Sequence, residues 1–204
     1  MRTRRFDWAG PDETTAETRN WFEVSAPVVD LAEIERAMAE EGDDALLRLT
    51  NQFDATDVPR TELAVGLDEA KEALEGLDPA VREALEVAAA NIRQVAEAQL
   101  DERVTEVELP QGQTVTVGEI PVSSAAIYAP GGRASYPSTV LMGCVTARVA
   151  GVKRLVLVSP AGPDGNVNRT TLAAAALCGA DEIFATGGAQ AIFALARGTG
   201  SIRP

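Results

Sequence analysis

The apolar positions of the chain change their period twice, and each change marks a change of architecture. Residues 1–27 are polar with scattered aromatics (Phe6, Trp8, Trp21, Phe22) and read as an irregular or partly helical arm. From residue 29 to residue 50, Leu31, Ile34, Ala37 and Met38 recur at spacings of three and four, the repeat of an amphipathic helix, which Gly42 interrupts or divides. A short acidic helix is expected over 67–77. Asp78-Pro79 then supplies an N-cap and a first-turn proline for a longer helix reaching about residue 101. Its apolar face is Val81, Leu85, Ala88, Ala89, Ile92, Val95, Ala96 and Leu100.

At residue 103 the period falls to two. Val104, Val107 and Leu109, a Pro110–Gly112 turn, then Val115 and Val117 predict a β-hairpin. Beyond residue 122 continuous apolar strands alternate with helices: strands at 125–129, 155–158 and 182–185, helices at about 137–150, 170–177 and 189–197. Strands apolar on both faces and separated by helices belong to a parallel sheet covered on both sides. The expected fold is therefore α/β: a parallel βαβαβα sheet, an incomplete Rossmann-like half, preceded by amino-terminal helices and a hairpin. A soft boundary near 120–127 divides the chain into 1–121 and 122–204.

Composition narrows the function. The 204 residues are 46% hydrophobic but only 4% aromatic, the profile of a soluble α/β protein. The net charge of −13 is uneven: residues 1–110 carry 27 acids and 11 bases, residues 111–204 only 4 acids and 7 bases. Such an acidic surface argues against nucleic acid and anionic membranes as partners. The basic start, Met1 to Arg5, is followed by no apolar run of signal-peptide type, and no window approaches 18 uninterrupted apolar residues, so the reading is cytoplasmic. Cys144 and Cys178 lie in apolar helical patterns and read as buried, reduced thiols. The chain has no histidine. That removes Ser-His-Asp and Cys-His catalysis and most zinc sites.

Two motifs carry candidate chemistry. Tyr128-Ala-Pro-Gly-Gly-Arg-Ala-Ser-Tyr-Pro-Ser-Thr139 is a strand end, a glycine turn and a helix start. Gly131 and Gly132 let a ligand approach the backbone, and the helix start favours an anion, with Arg133 adjacent. An empty strand-to-helix turn has the same pattern, and the loop is not G-x-G-x-x-G. Gly187-Gly-Ala-Gln-Ala191 repeats the arrangement, and Gln190 reads equally as a ligand contact or a helix-start residue. By contrast, Gly162-Pro-Asp-Gly-Asn166 with Asn168 is a plain turn-rich loop, since one carboxylate cannot satisfy calcium. Glu40, Glu41, Asp43 and Asp44 form a solvated face.

The run Tyr128–Met142, the helix Val145–Val152 and the run Asp181–Thr199 resemble the histidinol dehydrogenase family, most specifically over 122–199. The family pattern has Asn, Pro and Tyr where Gly143, Thr146 and Arg197 stand. The resemblance implies oxidation of L-histidinol to L-histidine in two NAD-dependent steps by a zinc-bearing homodimer. It implies that Tyr128 and Gln190 sit on the NAD site and that Ser138 lies near the substrate. It also implies that the Gly-Pro-Gly-Asn cofactor loop, the zinc ligands and the catalytic Glu-His pair come later than residue 204. The expectation is thus a chain with no catalytic or metal residue of its own, inactive alone, binding NAD weakly or not at all. It would form a homodimer, possibly by exchanging an element. The alternative is a non-enzymatic α/β module that binds a nucleotide weakly or serves in assembly.

Overall fold

The computed structural model describes residues 5–22, 30–54, 61–100, 104–131 and 134–204. It divides into two compact units, Met1–Leu31 and Ala32–Pro204. Among its described residues the first holds one helix, α1 (Pro11–Phe22), with acids in its first turn and Arg19 in its last, the polarity that suits the helix dipole. Trp8 is 77% exposed. The side chains of Trp21 and Phe22 lie outside the described residues, as do Gly132 and Arg133.

The second unit opens with two helices, α2 (Leu31–Glu41) and α3 (Asp43–Phe53), divided at Gly42, whose φ of 58° favours glycine. A short strand β1 (Ala64–Val65) follows, then α4 (Leu67–Glu75) and α5 (Pro79–Gln99). Asp78 caps α5 as its sequence predicts, its carboxylate accepting from the Ala80 N–H at 2.9 Å. The hairpin β2 (Thr105–Glu108) and β3 (Thr114–Val117) pairs Val107 opposite Val115. The remainder is β4 (Ser124–Tyr128), α6 (Pro137–Val149), β5 (Arg154–Ser159), α7 (Arg169–Cys178), β6 (Glu182–Ala185) and α8 (Gly188–Arg197).

The parallel sheet is present, with strand β5 between β4 and β6. One element was not foreseen. Strand β1 joins the outer edge of β6 antiparallel, Ala64 opposite Phe184, giving the order β1-β6-β5-β4. A strand from before residue 121 thus completes a sheet built after residue 122.

The pleat sorts each strand between two cores. Ile127, Leu155, Leu157, Ile183 and Ala185 face α4, α5, α6 and α7. Val156, Val158 and Phe184 face α2, α3 and α8. Alternate residues pointing to opposite, equally covered faces is why β5 reads as an unbroken apolar run. Gly143 lies where α6 crosses β4; a Cβ there would stand 2.7 Å from Ile127 Cγ1. The isoleucine occupies the room that a larger residue would need. The α5 face is covered only in part: Leu85 and Ala96 are buried, whereas Val81, Val95 and Leu100 are exposed. Both strands of the hairpin are exposed throughout.

Candidate functional site

Helices α6 and α7, which follow β4 and β5, pack on one face of the sheet, and α8, which follows β6, packs on the other. Where adjacent parallel strands send their helices to opposite faces, a crevice opens at their carboxyl ends, and ligands of open α/β sheets bind there. Here the crevice lies between the ends of β5 and β6.

Its walls are turns too close for side chains. A Cβ on Gly187 would stand 2.5 Å from the Pro160 ring and 3.2 Å from the Tyr128 hydroxyl. A Cβ on Gly131 would stand 2.7 Å from the Pro160 carbonyl oxygen and 2.9 Å from Ser159 Oγ. Gly188 has φ +65°, a conformation that side chains rarely adopt. The Gly188 N–H donates to the Tyr128 hydroxyl at 3.4 Å, joining the ends of β4 and β6. Pro160 is the pivot on which the turns after β4 and β6 both rest.

The sequence candidates fall into three groups. Tyr128, Gly131 and Gln190 come together at this crevice. Ser138 is exposed in the first turn of α6. Gly132 lies outside the described residues. Gln190 is 1% exposed, yet its Nε2 has no hydrogen-bond partner among the described residues. A buried amide donor without an acceptor costs of the order of 1–3 kcal/mol, a cost that an acceptor from a water or a ligand removes.

Two further residues reach the crevice from α3. Thr50 Oγ1 and Thr186 Oγ1 share a buried 2.7 Å hydrogen bond that fixes the helix end to the turn after β6. Asp54 follows, one helical turn on. Its carboxylate accepts from the backbone N–H of Ala161, the residue after the pivot proline. Its Oδ2 is buried and has no partner among the described residues. Burial pushes the Asp54 pKa up to about 6, and the Ala161 hydrogen bond offsets only part of that. Between its ordinary value near 3.8 and about 6 the folded chain binds more protons than the unfolded one. This carboxyl therefore favours folding most at low pH and loses that contribution as pH rises through about 6.

The other candidates take structural roles. Asp164 Oδ1 accepts from the Asn166 N–H in a local turn, and Asn168 caps α7 by accepting from the Thr170 N–H. A hollow of about 750 Å³ lies beside these turns, lined by Ser135, Asp164, Asn168 and Arg169 among others, but among the described residues no unpartnered buried polar atom lines it. Cys144 and Cys178 are free thiols, and burial pushes them up to about 12 and about 11, which keeps them protonated and unreactive. Among the described residues no group of three or more His, Cys, Asp or Glu could hold a metal ion, and no helix is long and apolar enough to cross a membrane.

Comparison with known proteins shows the family of this chain. The histidinol dehydrogenase family model matches residues 18–204. The chain is 46% identical over 192 residues to histidinol dehydrogenase of Nitrosomonas europaea, covering 89% of this chain and 42% of that protein. It is 40% identical over 208 residues to that of Methanothermobacter thermautotrophicus, covering 100% and 47%. The crystal structure of histidinol dehydrogenase from Elizabethkingia anophelis superposes with a TM-score of 0.77 at 32% identity, over 85% of this chain and 39% of that one. The chain thus spans less than half the length of the curated relatives it matches. On the family match, the shared fold and the motifs of both glycine turns, this chain belongs to the histidinol dehydrogenase family.

Proposed function

We propose that this chain is the cofactor-binding part of an NAD-dependent oxidoreductase that converts L-histidinol to L-histidine in histidine biosynthesis, and that it does not catalyse alone. The observation that carries the reading is the unpartnered Gln190 amide packed against Gly188, next to Gly187, whose missing side chain leaves the backbone beside the Tyr128 hydroxyl bare. NAD fits these residues. Tyr128 and Gln190 would bind and orient it, and Gly131 and Gly187 would let it lie against the backbone. NAD supplies the hydride-accepting ring; the chain's residues supply position and exclude water. Ser138, exposed on the first turn of α6, would face the substrate.

Zinc does not fit this chain, which has no histidine and, among its described residues, no metal-holding cluster. The metal and the general acid–base groups therefore belong to the rest of the family's length. The working protein is taken to be a cytoplasmic homodimer, possibly with an element exchanged, and residues 122–204 its cofactor-binding half domain. A second reading, an assembly module, draws on the hairpin, whose valines are exposed on both strands.

Titration of the ¹⁵N-labelled chain with millimolar NAD tests the first reading. Saturable shifts at Gly187, Gly188 and Tyr128, with no turnover of L-histidinol, are expected. The absence of shifts at those residues would overturn the cofactor assignment, and turnover by the chain alone would overturn its inactivity. Light scattering at tens of micromolar tests the dimer, which a strictly monomeric species would sink.

A further inference from the structure

Asp54 is poorly explained by folding. It sits at the carboxyl end of α3, where a negative charge opposes the helix dipole. Half-buried, it keeps one oxygen with no partner. Its backbone already closes the helix without help from the side chain, the Asp54 N–H donating to the Thr50 carbonyl at 2.9 Å. Placing a charged, partly unsatisfied carboxylate there costs stability that the single Ala161 hydrogen bond offsets only in part, and costs of this kind are found at residues that serve a ligand.

Its position says which ligand. The carboxylate is held against the Ala161 N–H, one residue from the pivot Pro160. Helix α3 packs on the same face of the sheet as α8, so Asp54 and Gln190 both reach the crevice between β5 and β6 from that face. The described residues contain four buried side-chain polar atoms without partners, and these two account for one acceptor, Asp54 Oδ2, and one donor, Gln190 Nε2. A ligand that satisfies both must offer a hydroxyl or N–H donor to the first and an oxygen to the second. A phosphate cannot lie against Asp54, because both are anionic. A ribose hydroxyl can, and charge-assisted O–H···O⁻ bonds of this kind are short and strong.

Building on the cofactor reading above, we propose that Asp54 is a ribose-recognising residue of the crevice: Oδ2 accepts from a ribose hydroxyl of the bound dinucleotide, while the other oxygen holds the Pro160–Ala161 wall in place. Asp54 then selects an unphosphorylated ribose and rejects one carrying a phosphate at that hydroxyl.

The test is Asp54→Asn. The amide oxygen still accepts from the Ala161 N–H, but the amide nitrogen replaces the acceptor that faces the ligand. Wild type and variant are titrated with NAD, then with NMN and AMP separately. The Ala161, Gly187 and Gly188 amides serve as reporters, and thermal melting checks that the variant is folded. The expected result is a loss of NAD affinity of about tenfold or more in the variant. The mononucleotide that shares this loss identifies which ribose is read, and its dideoxy analogue, lacking both ribose hydroxyls, should bind wild type and variant alike. If NAD binds both proteins equally, the Asp54 assignment falls and the cofactor reading stands. If the dideoxy analogue loses as much as its parent, the effect is structural and the assignment also falls. If wild type shows no saturable shift with NAD, both fall together.

Discussion

The β5 strand and the β2–β3 hairpin both carry valines and meet opposite fates. Leu155 to Val158 in β5 are all at most 1% exposed, whereas Val107, Val115 and Val117 in the hairpin are exposed by 45%, 44% and 61%. The local backbone preference is alike in both, since valine suits a pleated strand wherever it lies. The difference comes from the second layer. β5 has helices over both faces, and the hairpin has none over either among the described residues. Valine content therefore says that a strand forms, and only the number of elements able to cover it says whether the strand is buried. A two-stranded ribbon with no covering layer is marginally stable by itself.

This contrast can be pressed from its strongest point to its weakest. Leu157→Ala removes a side chain at the centre of the sheet and should cost about 2–5 kcal/mol in urea unfolding followed by circular dichroism. A loss below about 1 kcal/mol would mean that β5 is not packed as described. Gly143→Ala comes next and tests packing against propensity. Helix propensity alone predicts a gain of about 1 kcal/mol. The Ile127 contact predicts a loss of about 1–3 kcal/mol, because a β-branched side chain held at 9% exposure has little freedom to move aside. A lower melting temperature is therefore expected, and a higher one would overturn the α6–β4 packing. At the weak end, Val115→Thr in the hairpin should change stability by no more than about 0.5 kcal/mol in the same urea titration. A loss above about 1 kcal/mol would show the hairpin packed in solution.

Most of the parallel sheet could be read from the sequence because its signals are local. Strand β6 falls on the expected 182–185, and the Asp78 cap and the Gly179 end of α7, at φ 68°, sit where side-chain chemistry places them. Strand β1 could not be read. Two residues hold no period, and their extended form comes from pairing with β6. The apolar face expected of α5 was half right, because apolar residues also surround that helix; Val87 is exposed along with Val81 and Val95. At the candidate site, the glycine turns after β4 and β6 stood out because strand ends with glycines are visible in one dimension, whereas Tyr128 and Gln190 were singled out by the family resemblance. Asp54 did not. Its partner Ala161 is more than a hundred residues away, and nothing beside it in the chain marks it as different from other helix-end acids.

The pairing of early and late segments also sets the order in which the molecule can be made. The core beneath α2 and α3 is assembled from Ile34, Met38 and Leu46 on one side and Val156, Phe184, Ala191 and Ile202 on the other. Until β6 and α8 have left the ribosome, the first helices have no surface on which to settle. At about 5–20 residues per second that wait lasts on the order of ten seconds.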